Sequence, residues 1–220
     1  ADHRFYRKWE LCEQTNPQCI NTMEEAMRNA DVLISVSTPG PDTIKQEWVK
    51  LMAPKSVVFA CANPVPEIYP YAAKEAGAYI VATGRGDFPN QVNNSIGFPG
   101  ILKGALIARA SKITDSMAIA AAHSLAGFAE KRGISPENIV PTMDEADVFP
   151  VEAADVAVQA VKEGVARRQV SWEEAYRIAK KDIESSRSMT KALYDNGYIA
   201  NPPAEMLEDA LLWTIQQVEA

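Results

Sequence analysis

Residues 84 to 94 read Gly-Arg-Gly-Asp-Phe-Pro-Asn-Gln-Val-Asn-Asn, and four of the last five are amides. Asn90, Gln91, Asn93 and Asn94 can donate and accept hydrogen bonds without bringing charge. An apolar helical pattern follows, with a start expected near Phe98-Pro99. Amides placed at a helix entrance meet free backbone N–H groups and the positive end of the helix dipole. That environment suits a carboxylate or a ribose hydroxyl. Turn formation and helix capping account for asparagine equally well, and spacing alone does not choose between them. The tripeptide Arg85-Gly86-Asp87 matches the motif by which integrins hold extracellular proteins, so its cellular context matters.

Whatever these groups do, other elements must position them. Three short apolar runs precede or abut them, at 30–37, 56–63 and 77–84. Each is nearly continuous rather than alternating, which predicts parallel strands buried on both faces, at about 31–37, 57–62 and 78–83. A helix with Ile44, Trp48 and Leu51 on one face separates the first two. A two-turn helix closed by Gly77 separates the second pair. This is the βαβ rhythm of a doubly wound sheet, whose ligands bind beyond the carboxyl ends of the strands. At those ends stand Ser37-Thr38-Pro39, Asn63-Pro64-Val65-Pro66 and the amide run. Proline cannot continue a ladder, so each strand stops abruptly and Asn63 presents its amide at the crevice.

After about residue 98 the pattern is helical to the end, with start signals at Thr114, Ser135-Pro136 and Ser171. The stretch 141–150 is the one long connection, and Asp144, Glu145 and Asp147 within it read as solvated. His123 reads as a core or helix-face histidine.

A formal charge of −7 over 220 residues leaves no basic stripe for a nucleic-acid backbone. No apolar run is long enough to span a membrane, and no secretory leader is visible. The expected compartment is the cytoplasm, where Arg85-Gly86-Asp87 meets no integrin. Cys12, Cys19 and Cys61 form no disulfide framework, and no histidine completes a zinc set with them. Cys61 reads as a buried thiol.

Longer stretches are recognisable. "ADVLISVSTPG" from Ala30, "ANPVPEI" from Ala62, "VATGRGDFPNQVNNSIGFPGILKGAL" from Val81 and "IESSRSMTKALYDNGYIANPP" from Ile183 resemble the bacterial and archaeal malic enzymes. The resemblance covers about residues 15–203. It implies a partial Rossmann-type α/β fold: the later half of a nucleotide-binding domain over 1–110, then C-terminal helices over 111–220, packed as one unit. It implies oxidative decarboxylation of L-malate to pyruvate and CO2 with NAD or NADP, and Mg2+ or Mn2+ in a full-length homo-oligomer. The implied substrate contacts are Asn94, Asn93 and Asn63, and the implied cofactor contacts are Asn63, Ser37 and Thr38. No G-x-G-x-x-G turn occurs. That turn, the catalytic tyrosine and lysine, and the metal-binding acids are expected upstream of Ala1, and this stretch alone is expected to be inactive. A standalone nucleotide- or partner-binding module is the alternative.

Overall fold

The computed structural model describes residues 6–219. Two short helices, α1 (Tyr6–Gln14) and α2 (Met23–Met27), lead into β1 (Val32–Ser35), α3 (Gln46–Val49), β2 (Val57–Ala60), α4 (Pro70–Glu75) and β3 (Ile80–Thr83). The three strands form one parallel sheet in the order β1-β2-β3, with Val32 beside Val57 and Val57 beside Ile80. The predicted strands and their direction are therefore present, each trimmed to four residues. After the Cys61 N–H donates to the Ser35 carbonyl (3.0 Å), the β1–β2 ladder ends, because the next inward-pointing donors turn to a glutamate.

Burial departs from the expectation of strands covered on both faces. In β2, Val58 and Ala60 are buried, and in β3 Val81, Ala82 and Thr83 are. On β1, however, Val32, Ile34 and the following Val36 are 52%, 68% and 79% exposed. They point to one face of an edge strand, over which none of the described elements packs. The other face closes over a core of Met27, Ile44, Val49, Met52, Ile68 and Ala73. The helix expected around 44–51 shrinks to the single turn of α3. Its buried side is Ile44, Val49 and Met52, whereas Trp48 and Leu51 are half-buried. Gly77 ends α4 with φ +105°, the left-handed region that glycine reaches without a Cβ penalty.

A second core follows. It is built by α5 (Asn94–Ile107), α6 (Asp115–Arg132), α7 (Val148–Lys162) and α8 (Trp172–Asp195). The middle helix is α7: Ala153, Ala154, Val156, Ala157 and Ala160 are fully buried. It approaches α5 closely because Gly104 has no side chain. A Cβ there would lie 2.6 Å from the Ala153 carbonyl oxygen. Since α5 packs with α6–α8, the sheet core ends at β3 and the helical core begins before residue 110.

The start of α5 differs from the expected one. It begins at Asn94, and Pro99 lies inside it. Proline favours the first helical turn, which drew the expectation to Phe98-Pro99. The Asn93 side chain instead caps the helix by accepting from the Ser95 N–H (2.9 Å). The loop before α7 also holds a surprise. Glu145 is half-buried, accepts from the Thr142 N–H (2.8 Å) and pairs with Arg132, while Asp144 and Asp147 are exposed as expected.

From Glu184 to Gln216 every residue is exposed, through the second half of α8 and most of the last helix, α9 (Ala204–Glu219). Met206, Leu207, Leu211, Leu212 and Trp213 face solvent along α9.

Candidate functional site

The three carboxyl ends emerge on one edge of the sheet, as parallel pairing requires. At the first two ends the organiser is Glu67, whose side chain is fully buried. Its carboxylate accepts from the Ser35 hydroxyl (2.7 Å), the Ser37 N–H (2.7 Å) and the Ala62 N–H (3.0 Å). Its own carbonyl accepts from the Ile44 N–H (3.0 Å), which draws in the β1–α3 loop. Burial pushes this carboxyl up, but the donors from Ala62, Ser37 and Ser35 outweigh it and hold it below the usual carboxylate range. Glu67 is therefore ionised at neutral pH. Nothing in the sequence distinguished it, although a glutamate seven residues after the end of β2, among prolines, had to find partners if buried. Cys61 beside it is half-buried, and burial, then the Glu67 charge, raise its thiol.

Ser37, Thr38 and Asn63 stand just above this carboxylate, all at the exposed rim. The Thr38 carbonyl accepts from the Thr43 hydroxyl (3.1 Å), closing the loop. Asn63 precedes a cis peptide bond to Pro64. Its amide lies over Gly84, where an added Cβ would be 3.1 Å from both its nitrogen and its oxygen. The second and third strand ends therefore touch through Asn63.

At the third end the amides divide their work. Asn90 is buried, donates to the carbonyls of Val81 (3.0 Å) and Pro136 (2.7 Å), and accepts from the Ile139 N–H (2.8 Å). It ties the sheet to the helical region. The Gln91 backbone forms a bridge to Thr83 while its side chain has no hydrogen-bond partner among the described residues, and the Val92 N–H donates to the Thr83 carbonyl (2.8 Å). Asn93 caps α5 and donates to the Gly84 carbonyl (2.6 Å). Asn94 is different: it is exposed at the first position of α5, and its side chain has no partner among the described residues. It stands at the end of α5 that carries the positive pole of the helix dipole.

The rim is closed by the former adhesion motif. Arg85 donates twice to Asp87 (2.8 and 2.6 Å) and once to the Pro64 carbonyl (3.1 Å). The Arg85 hydrogen bond holds the Asp87 carboxyl below its ordinary value. Both charges of the tripeptide are paired with each other at the surface.

A cavity of about 350 Å³ opens beside Asn93 and Asn94, walled by Ile96, Phe98, Ile101, Leu125, Ile139 and Val140 among others. This wall is mostly apolar, which suits contact with other protein surface more than a dicarboxylate. Among the described residues no group of three His, Cys, Asp or Glu side chains could hold a metal ion. No described helix is long and apolar enough to cross a membrane. His123 is exposed on α6, the helix-face alternative.

Residues 1–164 match the family model described as the NAD-binding domain of malic enzyme. The chain belongs to the malic enzyme family. A bifunctional malic/malolactic enzyme of Bacillus subtilis is 44% identical over 153 residues, covering 70% of this chain and 37% of that protein. An NAD-dependent malic enzyme of Geobacillus stearothermophilus is 40% identical over 160 residues, 72% of this chain and 33% of its own length. Among solved structures, the malic enzyme of Entamoeba histolytica superposes with a TM-score of 0.95 at 62% identity. The match covers all of this chain and 45% of that one. The malic enzyme of Pyrococcus horikoshii gives a TM-score of 0.79 at 48% identity, over 86% of this chain and 43% of its own. The chain thus spans less than half the length of these malic enzymes, and the Rossmann-type reading of its sheet agrees with their folds.

Proposed function

We propose that the chain is the later, NAD(P)-binding part of a malic enzyme, which converts L-malate to pyruvate and CO2 with reduction of NAD or NADP. The observation that carries this reading is the convergence of Ser37-Thr38, Asn63 and Asn93-Asn94 on one edge of a parallel sheet. All are neutral groups. The residues fit the nicotinamide and ribose end of a dinucleotide rather than its pyrophosphate, since no glycine-rich turn opens a helix here. The nicotinamide supplies the hydride acceptor when bound.

In this reading Asn94, at the positive end of the α5 dipole, holds a malate carboxylate. Asn93 fixes the start of that helix and keeps one amide hydrogen and one lone pair free toward the same substrate. Asn63 sits between the strand end that meets the cofactor and the one that meets malate, and Ser37 and Thr38 line the cofactor side. Neutral donors bind a dianion without competing for it against a metal. Mg2+ or Mn2+ finds no ligand set among the described residues, and this reading assigns the ion to the rest of a full-length enzyme. The exposed face of β1 and the apolar residues of α9 supply surface for the remaining domain and for a second subunit.

The test is malate-dependent reduction of NAD and NADP, with Mg2+ or Mn2+, by the full-length protein and by the 220-residue chain. Turnover is expected from the first alone. A full-length protein that never reduces either nucleotide with malate would refute the reading, and turnover by the short chain would refute its division of labour.

A further inference from the structure

Beyond the Ser35–Ala60 pair and the Cys61 N–H to the Ser35 carbonyl, the extensions of the first two strands are not held by the sheet ladder. What holds their extensions is one buried side chain that takes donors from both: Ser35 at the end of β1 and Ser37 beyond it, and Ala62 beyond β2. The consequences are geometric. Ala62 immediately precedes Asn63, and Ser37 immediately precedes Thr38. Fixing those two N–H groups fixes the direction in which the crevice residues leave the sheet. The Ile44 N–H on the Glu67 carbonyl pins the far side of the same loop. Asn63 then passes the constraint onward, because its amide rests on Gly84, whose carbonyl holds Asn93.

We infer that Glu67 is a positioning residue for the reaction: it aligns the cofactor-side residues Ser37 and Thr38 with Asn63, and acts on malate only through Asn63. The inference rests on the malic-enzyme reading. Glu67 itself is buried beneath the crevice floor and touches no reacting atom. A second consequence is electrostatic. The Ser37 and Ala62 N–H groups are spent on an internal carboxylate, so this part of the edge offers no anion nest and rejects a pyrophosphate. The dinucleotide is thereby oriented with its nicotinamide end here.

Glutamine is the discriminating substitution, because it keeps the shape of Glu67 and has one acceptor oxygen where three donors converge. In the full-length enzyme, Glu67→Gln is expected to lower malate kcat/KM by about tenfold or more per folded molecule. Asn63→Ala is expected to do the same. The double variant should fall little below Asn63→Ala alone, since residues acting as one unit are not additive. Additive losses, or a Glu67→Gln enzyme with unchanged kcat and KM, would overturn the inference. Should Glu67→Gln fail to fold, Ser35→Ala removes a single donor and is expected to give a smaller loss that is likewise absorbed by Asn63→Ala; unchanged kinetics in that variant would overturn it too. Hydrogen exchange at the Ser37 and Ala62 amides reads the clamp without substrate. Protection in the wild type that drops in the variant is expected, and equal protection in both contradicts the clamp. Wild-type enzyme that does not turn over malate at all would instead refute the functional reading on which the inference stands.

Discussion

Glu67 and Glu152 are two fully buried glutamates in two regions of the molecule, and they meet the cost of burial in opposite ways. Beneath the strand ends, Glu67 has three donors and stays ionised. Between α5 and α7, Glu152 packs against Gly100 and neither carboxyl oxygen has a hydrogen-bond partner. Burial pushes its carboxyl up to about 8, against a weak opposing influence from the Gly100 backbone, so it is neutral at pH 7. The sheet edge is thus a polar, charge-bearing scaffold, whereas the helical region is a close-packed support that tolerates a carboxyl only as an acid. Residue type and burial are the same; the local supply of N–H donors decides the difference.

The sharpest way to break this comparison is to remove Glu67. Glu67→Ala would strand a buried hydroxyl, the buried Ala62 N–H and the part-buried Ser37 N–H, a loss expected at about 3–5 kcal/mol of stability by denaturant unfolding. A loss under about 1 kcal/mol would mean that water replaces the carboxylate and the edge is not organised by it.

Glu152 predicts a slope rather than a step. A carboxyl whose folded value is raised stabilises most below its unfolded value and loses that stability as pH rises towards about 8. Between pH 4.5 and 7 the loss is expected to be about 3 kcal/mol, and Glu152→Gln should flatten it. Glu67 has the opposite sign: its lowered value gives stability that is complete above the unfolded value and is lost as pH falls through the folded one. A variant at Glu152 that leaves the neutral-range slope intact would show that the carboxyl reaches solvent.

A smaller effect separates tight from open packing in the helical region. Gly104→Ala places a methyl against the Ala153 backbone and should cost about 1–3 kcal/mol. Gly127→Ala on α6 meets nothing within 4 Å, and helix propensity should make it neutral or stabilising by up to about 1 kcal/mol. Equal melting temperatures for the two would contradict the close approach of α5 and α7.

Legibility in the sequence followed the same divide. The strands, their parallel direction and the crevice edge could be read because apolar runs ending at Pro39, Pro64 and Pro66 leave few alternatives. Thr22, Thr114 and Ser171 cap helices as their types suggest, each accepting from an N–H three residues on. The exposed face of β1 was not legible, because a valine-rich strand looks the same whether or not its cover belongs to the same chain. The start of α5 was misplaced because a proline signal outweighed the Asn93 cap four residues before Gly97. Neither buried glutamate could be found, since two of the three donors to the Glu67 carboxylate lie 30 and 32 residues away and the Glu152 carboxyl oxygens have no hydrogen-bond partner. The amide run was seen as one unit. In the structure Asn90 is a staple and Asn93 a cap, while the side-chain amides of Gln91 and Asn94 have no partner among the described residues, and of these two Asn94 is the exposed one.

That last division carries the central claim, and paired substitutions test it most directly. Melting curves and malate kinetics of the full-length enzyme would be measured for Asn93→Ala and Asn94→Ala. Asn93→Ala is expected to lose about 1 kcal/mol of stability as its cap goes. Asn94→Ala is expected to melt like the parent and to lose a hydrogen bond to a charged substrate group, lowering malate kcat/KM by about 10- to 150-fold. An Asn94→Ala enzyme that is destabilised yet turns over malate with normal kcat/KM would contradict the account.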